Sequence, residues 1–152
     1  DINTVVHDVL PFFESRCARK GVEVRCDLGL NLPAIFADES QIRQIVMNLV
    51  VNAIQAMGDG GQLHVSTRVV DGHVALTVRD TGVGIPEEIR SKIFLPFFTT
   101  KDAEKGTGLG LSVVLGIVRS HQGRIDVTSA AGQGSEFAVY LPSFRDPHPP
   151  TL

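Results

Sequence analysis

The sequence has little of what metal and redox chemistry usually require. Only two of its 152 residues are cysteines. Cys17 and Cys26 form no CxxC pair and have no histidine cluster beside them. This scarcity argues against a zinc site or a redox role and fits a reduced cytosolic setting. The sequence shows no signal peptide and no apolar run long enough to span a bilayer. The chain starts at Asp1 without a methionine, as a piece of a longer protein would, so membrane segments of a parent protein stay an open question.

Strong charge of either sign is also missing. The formal net charge is −3, and no long run of lysine or arginine occurs, which disfavours nucleic acid and acidic membranes as main partners. Hydrophobic residues make up 43% of the chain and charged residues 20%, a balance typical of a globular protein. The length predicts one domain that buries roughly two-thirds of its unfolded surface.

The first part of the chain predicts a helix followed by a strand. Apolar residues recur at helical spacing over residues 3–20, with Asn3 as the expected N-cap and Gly21 as the expected stop. Pro11 lies inside this pattern and should kink or split the helix. Clean alternation then predicts a strand over residues 22–28.

The strongest helix pattern covers residues 40–57, after connecting chain that includes a short strand expected near Ile35. One stripe of this helix is apolar and should face a core. A second stripe consists of uncharged amides three or four residues apart, on one face: Gln41, Gln44, Asn48, Asn52 and Gln55. A solvated face would ordinarily carry lysine and glutamate. The amides therefore favour an enclosed, hydrated face over a plain surface strip.

Two alternating segments, residues 62–70 and 73–79, are joined by Asp71-Gly72 and predict a β-hairpin. The second segment runs directly into Asp80-Thr81-Gly82-Val83-Gly84-Ile85. A carboxylate at a strand end can accept a hydrogen bond from an exocyclic amino group, and glycines let a flat ring approach the backbone. Taken alone, this stretch is more typical of an ordinary Asp-Gly turn.

Residues 86–93 begin like a helix, with proline first and two glutamates in the opening turn. An aromatic stretch follows, and then residues 102–106, which have almost no apolar content and predict a mobile segment. Gly106-Thr107-Gly108-Leu109-Gly110-Leu111 opens the next helix. Amide hydrogens at such a helix start suit phosphate, although the motif is neither the phosphate loop nor GxGxxG. Strands over residues 125–129 and 135–141 close the pattern.

Four motifs thus stand in one order, and a weaker fifth follows them. They are Asn48-Leu49-Val50-Val51-Asn52-Ala53, Asp80-Thr81-Gly82-Val83-Gly84, Phe94-Leu95-Pro96-Phe97-Phe98, Gly106-Thr107-Gly108-Leu109-Gly110-Leu111 and Gly132-Gln133-Gly134-Ser135-Glu136-Phe137. In this order they resemble the N, G1, F, G2 and G3 boxes of the ATP-binding catalytic domain of sensor histidine kinases. These domains belong to the gyrase, chaperone, histidine kinase and mismatch-repair ATPase superfamily. The resemblance covers about residues 3–141. The sequence at residues 52–57 and 96–101 is most similar to that of nitrogen-regulation kinases.

The resemblance implies an α+β fold, a two-layer sandwich in which three helices cover a mixed sheet of about five strands (the Bergerat ATP-binding fold). It implies a catalytic and ATP-binding domain over residues 1–142. The proline-rich composition of residues 143–152 predicts a flexible tail. The resemblance also implies a function in two-component signal transduction. The domain would bind Mg-ATP and donate the terminal phosphoryl group to a histidine on a separate dimerisation domain. Its partners would be that histidine-containing domain and, through the phosphohistidine, a response regulator. The domain would be cytoplasmic, and its parent protein could be membrane-anchored.

The resemblance also assigns roles to residues. Asp80 would bind the adenine amino group, with Gly84 beside it and Ser135 joining through water. Asn52 and Asn48 would hold Mg²⁺, which accepts amide oxygens and usually keeps several waters. Residues 99–106 would form a lid with Phe97 or Phe98 packing under it, and Lys101 is a candidate contact of the terminal phosphate. The full implied nucleotide site is Asn48, Asn52, Asp80, Gly82, Gly84, Ile85, Phe97, Thr99, Lys101, Gly106, Thr107, Gly108, Leu109, Gly110 and Ser135.

Two departures from the family pattern matter. Many relatives carry lysine or arginine where this chain has Gln55, which puts one phosphate contact in doubt and draws attention to Lys101 and Lys105. The phosphoacceptor histidine is missing, because none of the five histidines has its helical-hairpin context; they are His7, His64, His73, His121 and His148. No catalytic residue is therefore assigned.

Two alternatives to a kinase domain stay open: an ATP hydrolase of the same superfamily and a non-catalytic nucleotide-sensing module. Hydrolytic relatives place a glutamate four residues before the second asparagine of the first box, to activate water. Here that position is Asn48, which favours the kinase.

Overall fold

The computed structural model describes residues 1–96, 98 and 110–144. Its elements in chain order are α1 (Ile2–Val9), a 3-10 turn (Leu10–Phe13), α2 (Glu14–Lys20), β1 (Val22–Leu28), α3 (Glu39–Ala56), β2 (Gly61–Val70), β3 (His73–Asp80), α4 (Glu87–Arg90), α5 (Gly110–Ser120), β4 (Arg124–Ser129) and β5 (Ser135–Pro142).

The five strands form one mixed sheet in the order β1-β2-β3-β5-β4. β1 and β2 are parallel, and every other neighbouring pair is antiparallel. Helix α3 packs against β2 and β3, with α1 and α5 alongside it. One hydrophobic core between the helices and the sheet draws side chains from both layers. The expected two-layer α+β sandwich is confirmed.

Helix α3 is held in place by burial of its apolar stripe. Seven of its side chains are buried: Ile42, Ile45, Val46, Leu49, Val50, Ala53 and Ile54. Burying each of the larger ones contributes about 1.5–3 kcal/mol, which far exceeds what helix propensity adds per residue. The helix begins where Asp38 accepts a hydrogen bond from the Ser40 N–H at 2.9 Å. The predicted helix and its buried face are confirmed.

The N-terminal helix is split at Pro11, as expected, by the 3-10 turn between α1 and α2. The stop at Gly21 is confirmed, because this residue caps α2 in the left-handed region with φ 69°. The N-cap expected at Asn3 is wrong: Asp1 caps α1 by accepting the Asn3 N–H at 2.8 Å. The Asn3 side chain instead accepts from the Thr67 hydroxyl at 2.7 Å, which ties α1 to β2.

The hairpin at Asp71-Gly72 is confirmed, with both residues at positive φ, as a two-residue turn of this type requires. The short strand expected near Ile35 is wrong. Residues 29–38 contain no strand, and a hydrogen bond from the Phe144 N–H to the Ala34 carbonyl (2.7 Å) holds this segment to the chain that follows β5.

Across the described ranges, no helix combines the length and apolar character that a membrane span requires. Both cysteines are free thiols, and the reduced cytosolic setting stays a prediction. So does the domain boundary at residue 142, since most of the expected tail lies outside the described residues.

Candidate functional site

Three polar side chains stand in one row across the end of the sheet. Asp80 is the last residue of β3 and lies opposite Ser135, the first residue of β5. Ser135 in turn lies opposite Ser129, the last residue of β4. Residues directly opposite each other in antiparallel strands project to the same face. Asp80, Ser135 and Ser129 therefore share the face that the helices cover.

Asp80 is a buried carboxylic acid, 3% exposed. Its carboxyl group accepts the Gly82 N–H at 2.8 Å and also the Ser135 N–H. Burial raises its pKa above the ordinary value, and the two N–H donors offset only part of that effect. The ion pairs found in the described part of the chain do not include Asp80. A buried acid at a strand end with a perturbed pKa and without a cation beside it is a candidate functional group.

The glycines after Asp80 are required by close backbone packing. A Cβ atom at Gly82 would overlap the carbonyl oxygen of Ala56, the last residue of α3. A Cβ atom at Gly84 would overlap the carbonyl oxygen of Ala130, and Gly84 also has φ +73°, which other residues adopt only with strain. The loop thus fits between the end of α3 and the turn from β4 to β5.

Backbone hydrogen bonds hold the same loop from both sides. The Val83 N–H donates to the Ala56 carbonyl at 3.0 Å, and the Val83 carbonyl accepts the Gly132 N–H at 2.6 Å. The Thr81 hydroxyl accepts the Gln62 N–H at 3.0 Å. The loop after Asp80 is therefore a fixed structure that positions the backbone beside the carboxyl group.

Ser129 joins this loop to the β5 strand, a role that the sequence motifs did not predict. Its hydroxyl accepts the Ile85 N–H at 2.7 Å and donates to the Gly134 carbonyl at 2.9 Å. It also lies 2.9 Å from the Ser135 hydroxyl, and the Arg90 guanidinium donates to its carbonyl. One signal was available: Ser129 continues the inward-facing alternation of Ile125 and Val127 in β4.

The amide face of α3 leads away from Asp80 along the helix. Asn52 and Asn48 precede Ala56 by one and two turns, so they lie roughly 6 and 12 Å along the axis from the residue that touches Gly82. Both are half-buried, and the Asn48 Nδ2 donates to the Gly110 carbonyl at 3.3 Å, where α5 begins. Of the other amides, Gln44 is exposed and Gln41 and Gln55 are half-buried.

A family model described as "Histidine kinase-, DNA gyrase B-, and HSP90-like ATPase" matches residues 37–145. The chain belongs to this ATPase family. The resemblance found in the sequence is thereby confirmed, and membership places the chain among domains that use ATP. The finer likeness to nitrogen-regulation kinases stays a prediction.

Relatives of this ATPase domain are sensor kinases. It is 40% identical to the sensor kinase CckA of Brucella abortus (strain 2308), over 93% of this chain and 16% of CckA. The chain spans between 16% and 31% of the length of the first curated relatives.

Solved structures agree with this family. The catalytic domain of histidine kinase ThkA superposes with a TM-score of 0.83 at 33% identity, covering 93% of this chain and 91% of that one. ThkA in complex with the response regulator protein TrrA superposes with a TM-score of 0.80 at 30% identity, covering 95% of this chain and 41% of that one. Full-length ShkA in complex with AMPPNP superposes with a TM-score of 0.84 at 33% identity, covering 94% of this chain and 30% of that one.

The ATPase domain brings the predicted site residues into two groups. Asp80, Gly82, Gly84, Ile85 and Ser135 lie together at the end of the sheet, while Asn48, Asn52 and Gly110 lie along α3 and at the start of α5. Phe98 is half-buried against the core. The remaining predicted residues lie outside the described ranges: Phe97, Thr99, Lys101, Lys105, Gly106, Thr107, Gly108 and Leu109. The expected lid and the phosphate-binding glycines therefore stay predictions.

Proposed function

We propose that this domain binds Mg-ATP and donates the terminal phosphoryl group to a histidine on a separate dimerisation domain. The observation that carries the proposal is the buried Asp80 carboxyl group, which no ion pair balances within the described residues. It stands at the edge of a loop whose backbone is held rigidly beside it.

Asp80 suits the amino group of adenine. Two N–H groups already point at its carboxyl group, and an exocyclic amino group would add a further donor to a buried acceptor. A hydrogen bond to a charged partner of this kind contributes about 1.5–3 kcal/mol. Gly82 and Gly84 present backbone rather than side chains next to this position, which leaves room for a flat ring.

The amide face of α3 suits the phosphates. Its two asparagines lie roughly 6 and 12 Å along the helix from the Asp80 end, a separation comparable to that between a purine and its triphosphate. Asn48 uses its nitrogen for the Gly110 carbonyl, so its oxygen is the atom that would face a cation.

Two neutral amide oxygens fit Mg²⁺, which is bound through few protein ligands, several waters and phosphate oxygens. The residues that would hold it are Asn52 and Asn48. Bound there, Mg²⁺ would supply positive charge to offset the charge of the phosphates. The contribution of the protein is to position these groups, which is the main requirement of phosphoryl transfer.

Transfer is better supported than hydrolysis. A hydrolase needs a base to take a proton from water, and a positioned base is typically worth about a hundred- to ten-thousandfold in rate. Asn48 occupies the place where the hydrolytic relatives carry glutamate, and an amide cannot serve as a base at neutral pH. Its hydrogen bond to Gly110 gives it a positioning role instead.

The proposed partners are the domain's own histidine-containing dimerisation domain and a response regulator. The complex of ThkA with the response regulator protein TrrA supports the second partner, since ThkA contains a domain similar to this one. The complex of ShkA with AMPPNP supports nucleotide binding by a domain of this kind. None of the histidines in this chain is proposed as the phosphoacceptor.

The test is a mixing experiment with radiolabelled ATP. The chain alone, the parent's histidine hairpin alone and both together are incubated and separated. We expect label on the hairpin only in the mixture, and weakly, because the effective concentration that covalent tethering provides is lost. Stable label on this chain alone would contradict the missing acceptor. Rapid phosphate release without the hairpin would instead indicate a hydrolase.

A further inference from the structure

We propose that Ser129 makes the Ser135 hydroxyl a pure hydrogen-bond acceptor at the base-binding site, and that this helps select a base with an amino group over one with a carbonyl. The inference rests on the proposed function, because it assumes that a purine binds at Asp80. It concerns a residue that would not touch the nucleotide itself.

The hydrogen bonds of Ser129 leave it with one available role toward Ser135. A serine hydroxyl has one hydrogen to donate and two lone pairs to accept with. Ser129 donates its hydrogen to the Gly134 carbonyl at 2.9 Å and accepts the Ile85 N–H at 2.7 Å. Its remaining lone pair faces the Ser135 hydroxyl, also at 2.9 Å. Because the Ser129 hydrogen is already used, Ser135 must be the donor in this contact.

The direction of that hydrogen determines what Ser135 offers to a ligand. With its hydrogen pointing toward Ser129, the Ser135 oxygen has only lone pairs left. Ser135 is 6% exposed and lies directly opposite Asp80 in the pairing of β3 with β5, so the two side chains project to the same face of the sheet. An ionised carboxylate is likewise an acceptor only. Both side chains at this end of the sheet therefore require hydrogens from the ligand or from a bridging water.

An exocyclic amino group supplies two such hydrogens, and a carbonyl at the same ring position supplies none. Adenine would satisfy the pair, whereas hypoxanthine or guanine would leave buried acceptors facing a carbonyl oxygen, which is unfavourable. The arrangement resists rotation of Ser135, because Ser129 is fixed by its pairing with Ser135 and by the guanidinium of Arg90 on its carbonyl.

Calorimetry with ATP and inosine triphosphate tests the inference, because the two differ at this ring position in carrying an amino group or a carbonyl. The proteins are the wild type, Ser129→Ala, Ser129→Thr and Thr128→Ala. Ser129→Thr keeps the hydroxyl, and Thr128→Ala removes a hydroxyl from an exposed neighbour in the same strand. We expect Ser129→Ala to lower the preference for ATP about three- to tenfold, the range of one net hydrogen bond. The two controls, Ser129→Thr and Thr128→Ala, should keep the wild-type ratio of the affinities for ATP and inosine triphosphate.

A second variant covers the case in which Ser129→Ala does not fold. Ser135→Ala removes the acceptor itself and should lower the ATP preference by a similar factor. Where both fold, the double variant should lose little more than either single one, because the residues act in series. An unchanged ratio in Ser135→Ala, or equal losses of both nucleotides in Ser129→Ala, would overturn the inference while leaving ATP binding intact. A wild type without any preference for ATP would overturn the site at Asp80 as well.

Discussion

Two Asp-Gly stretches stand at opposite ends of β3, and they share little beyond composition. Asp71 and Gly72 connect β2 to β3; both have positive φ, and Asp71 is exposed. Asp80 ends the same strand, is 3% exposed and is followed two residues later by Gly82, whose hydrogen atom faces the end of α3. The first stretch turns the chain, and the second encloses a carboxyl group.

The comparison shows what distinguishes a structural Asp-Gly from a candidate functional one. At the hairpin the carboxylate stays in water, and only the backbone is used: the Gly72 carbonyl accepts both the N–H and the hydroxyl of Ser143. At Asp80 the carboxyl group is removed from water and held by two N–H groups. Burying an acid is unfavourable unless it is compensated, so its presence there points to a ligand.

The largest expected effect that separates the two stretches is on nucleotide affinity. Asp80→Asn should weaken ATP binding by roughly ten- to a hundredfold, because it removes a charge-assisted hydrogen bond worth about 1.5–3 kcal/mol. Asp71→Asn makes the same chemical change at the other end of β3 and should leave affinity unchanged. Isothermal titration calorimetry with ATP measures both. Equal ATP affinities of the Asp80→Asn variant and the wild type would contradict the proposal that Asp80 binds the adenine amino group.

Local patterns predicted most elements of this fold, except the strand expected near Ile35, but not their contacts. The buried stripe of α3 and the Asp71-Gly72 hairpin follow from spacing within one segment. The N-cap at Asn3 was wrong because Asp1 competes for that position and Thr67, distant in sequence, engages the Asn3 side chain. The hydrogen bond to Asp1 is local, whereas the contact with Thr67 is tertiary and no single segment contains it.

The candidate site divides in the same way. The carboxylate followed by two glycines is a local pattern, but alone it is more typical of a turn, and the role of Asp80 followed only from the resemblance that the motifs carry together. Ser129 was missed because its role depends on the register of β4 with β5 and on the loop at Ile85, which no segment alone specifies. The sequence explained Gly82 only in part, because it does not show that the carbonyl of Ala56 occupies the space that a Cβ atom at residue 82 would need.

A second, smaller difference should appear in stability when the two glycines are replaced by alanine. Gly82→Ala should destabilise the free domain by about 1–3 kcal/mol, as overpacking against the backbone of Ala56 does, and should weaken ATP binding too. Gly72→Ala should cost about 1–2 kcal/mol through strain at φ 77°, with nucleotide affinity unaffected. Urea unfolding and calorimetry on each variant separate the two outcomes. Loss of affinity in Gly72→Ala would mean that the two ends of β3 are coupled.

The smallest expected effect is a pH dependence of stability that belongs to Asp80. Burial raises its pKa in the folded state above the ordinary value of 3.8, so the folded protein holds a proton that the unfolded chain has already released. The stability contributed by this group is therefore fully present below about 3.8. It is lost as the pH rises through the folded-state pKa. Asp80→Asn cannot ionise. Relative to this variant, the free energy of unfolding of the wild type should fall as the pH rises from about 3.8 through the folded-state pKa, and should then stay at a constant offset.

Urea unfolding of both proteins at a series of pH values measures this difference in the free energy of unfolding. A difference that does not change with pH would show that Asp80 is not desolvated in the free domain. Saturating Mg-ATP should remove the loss if adenine pairs with the ionised carboxylate, because the nucleotide stabilises only the folded, charged form.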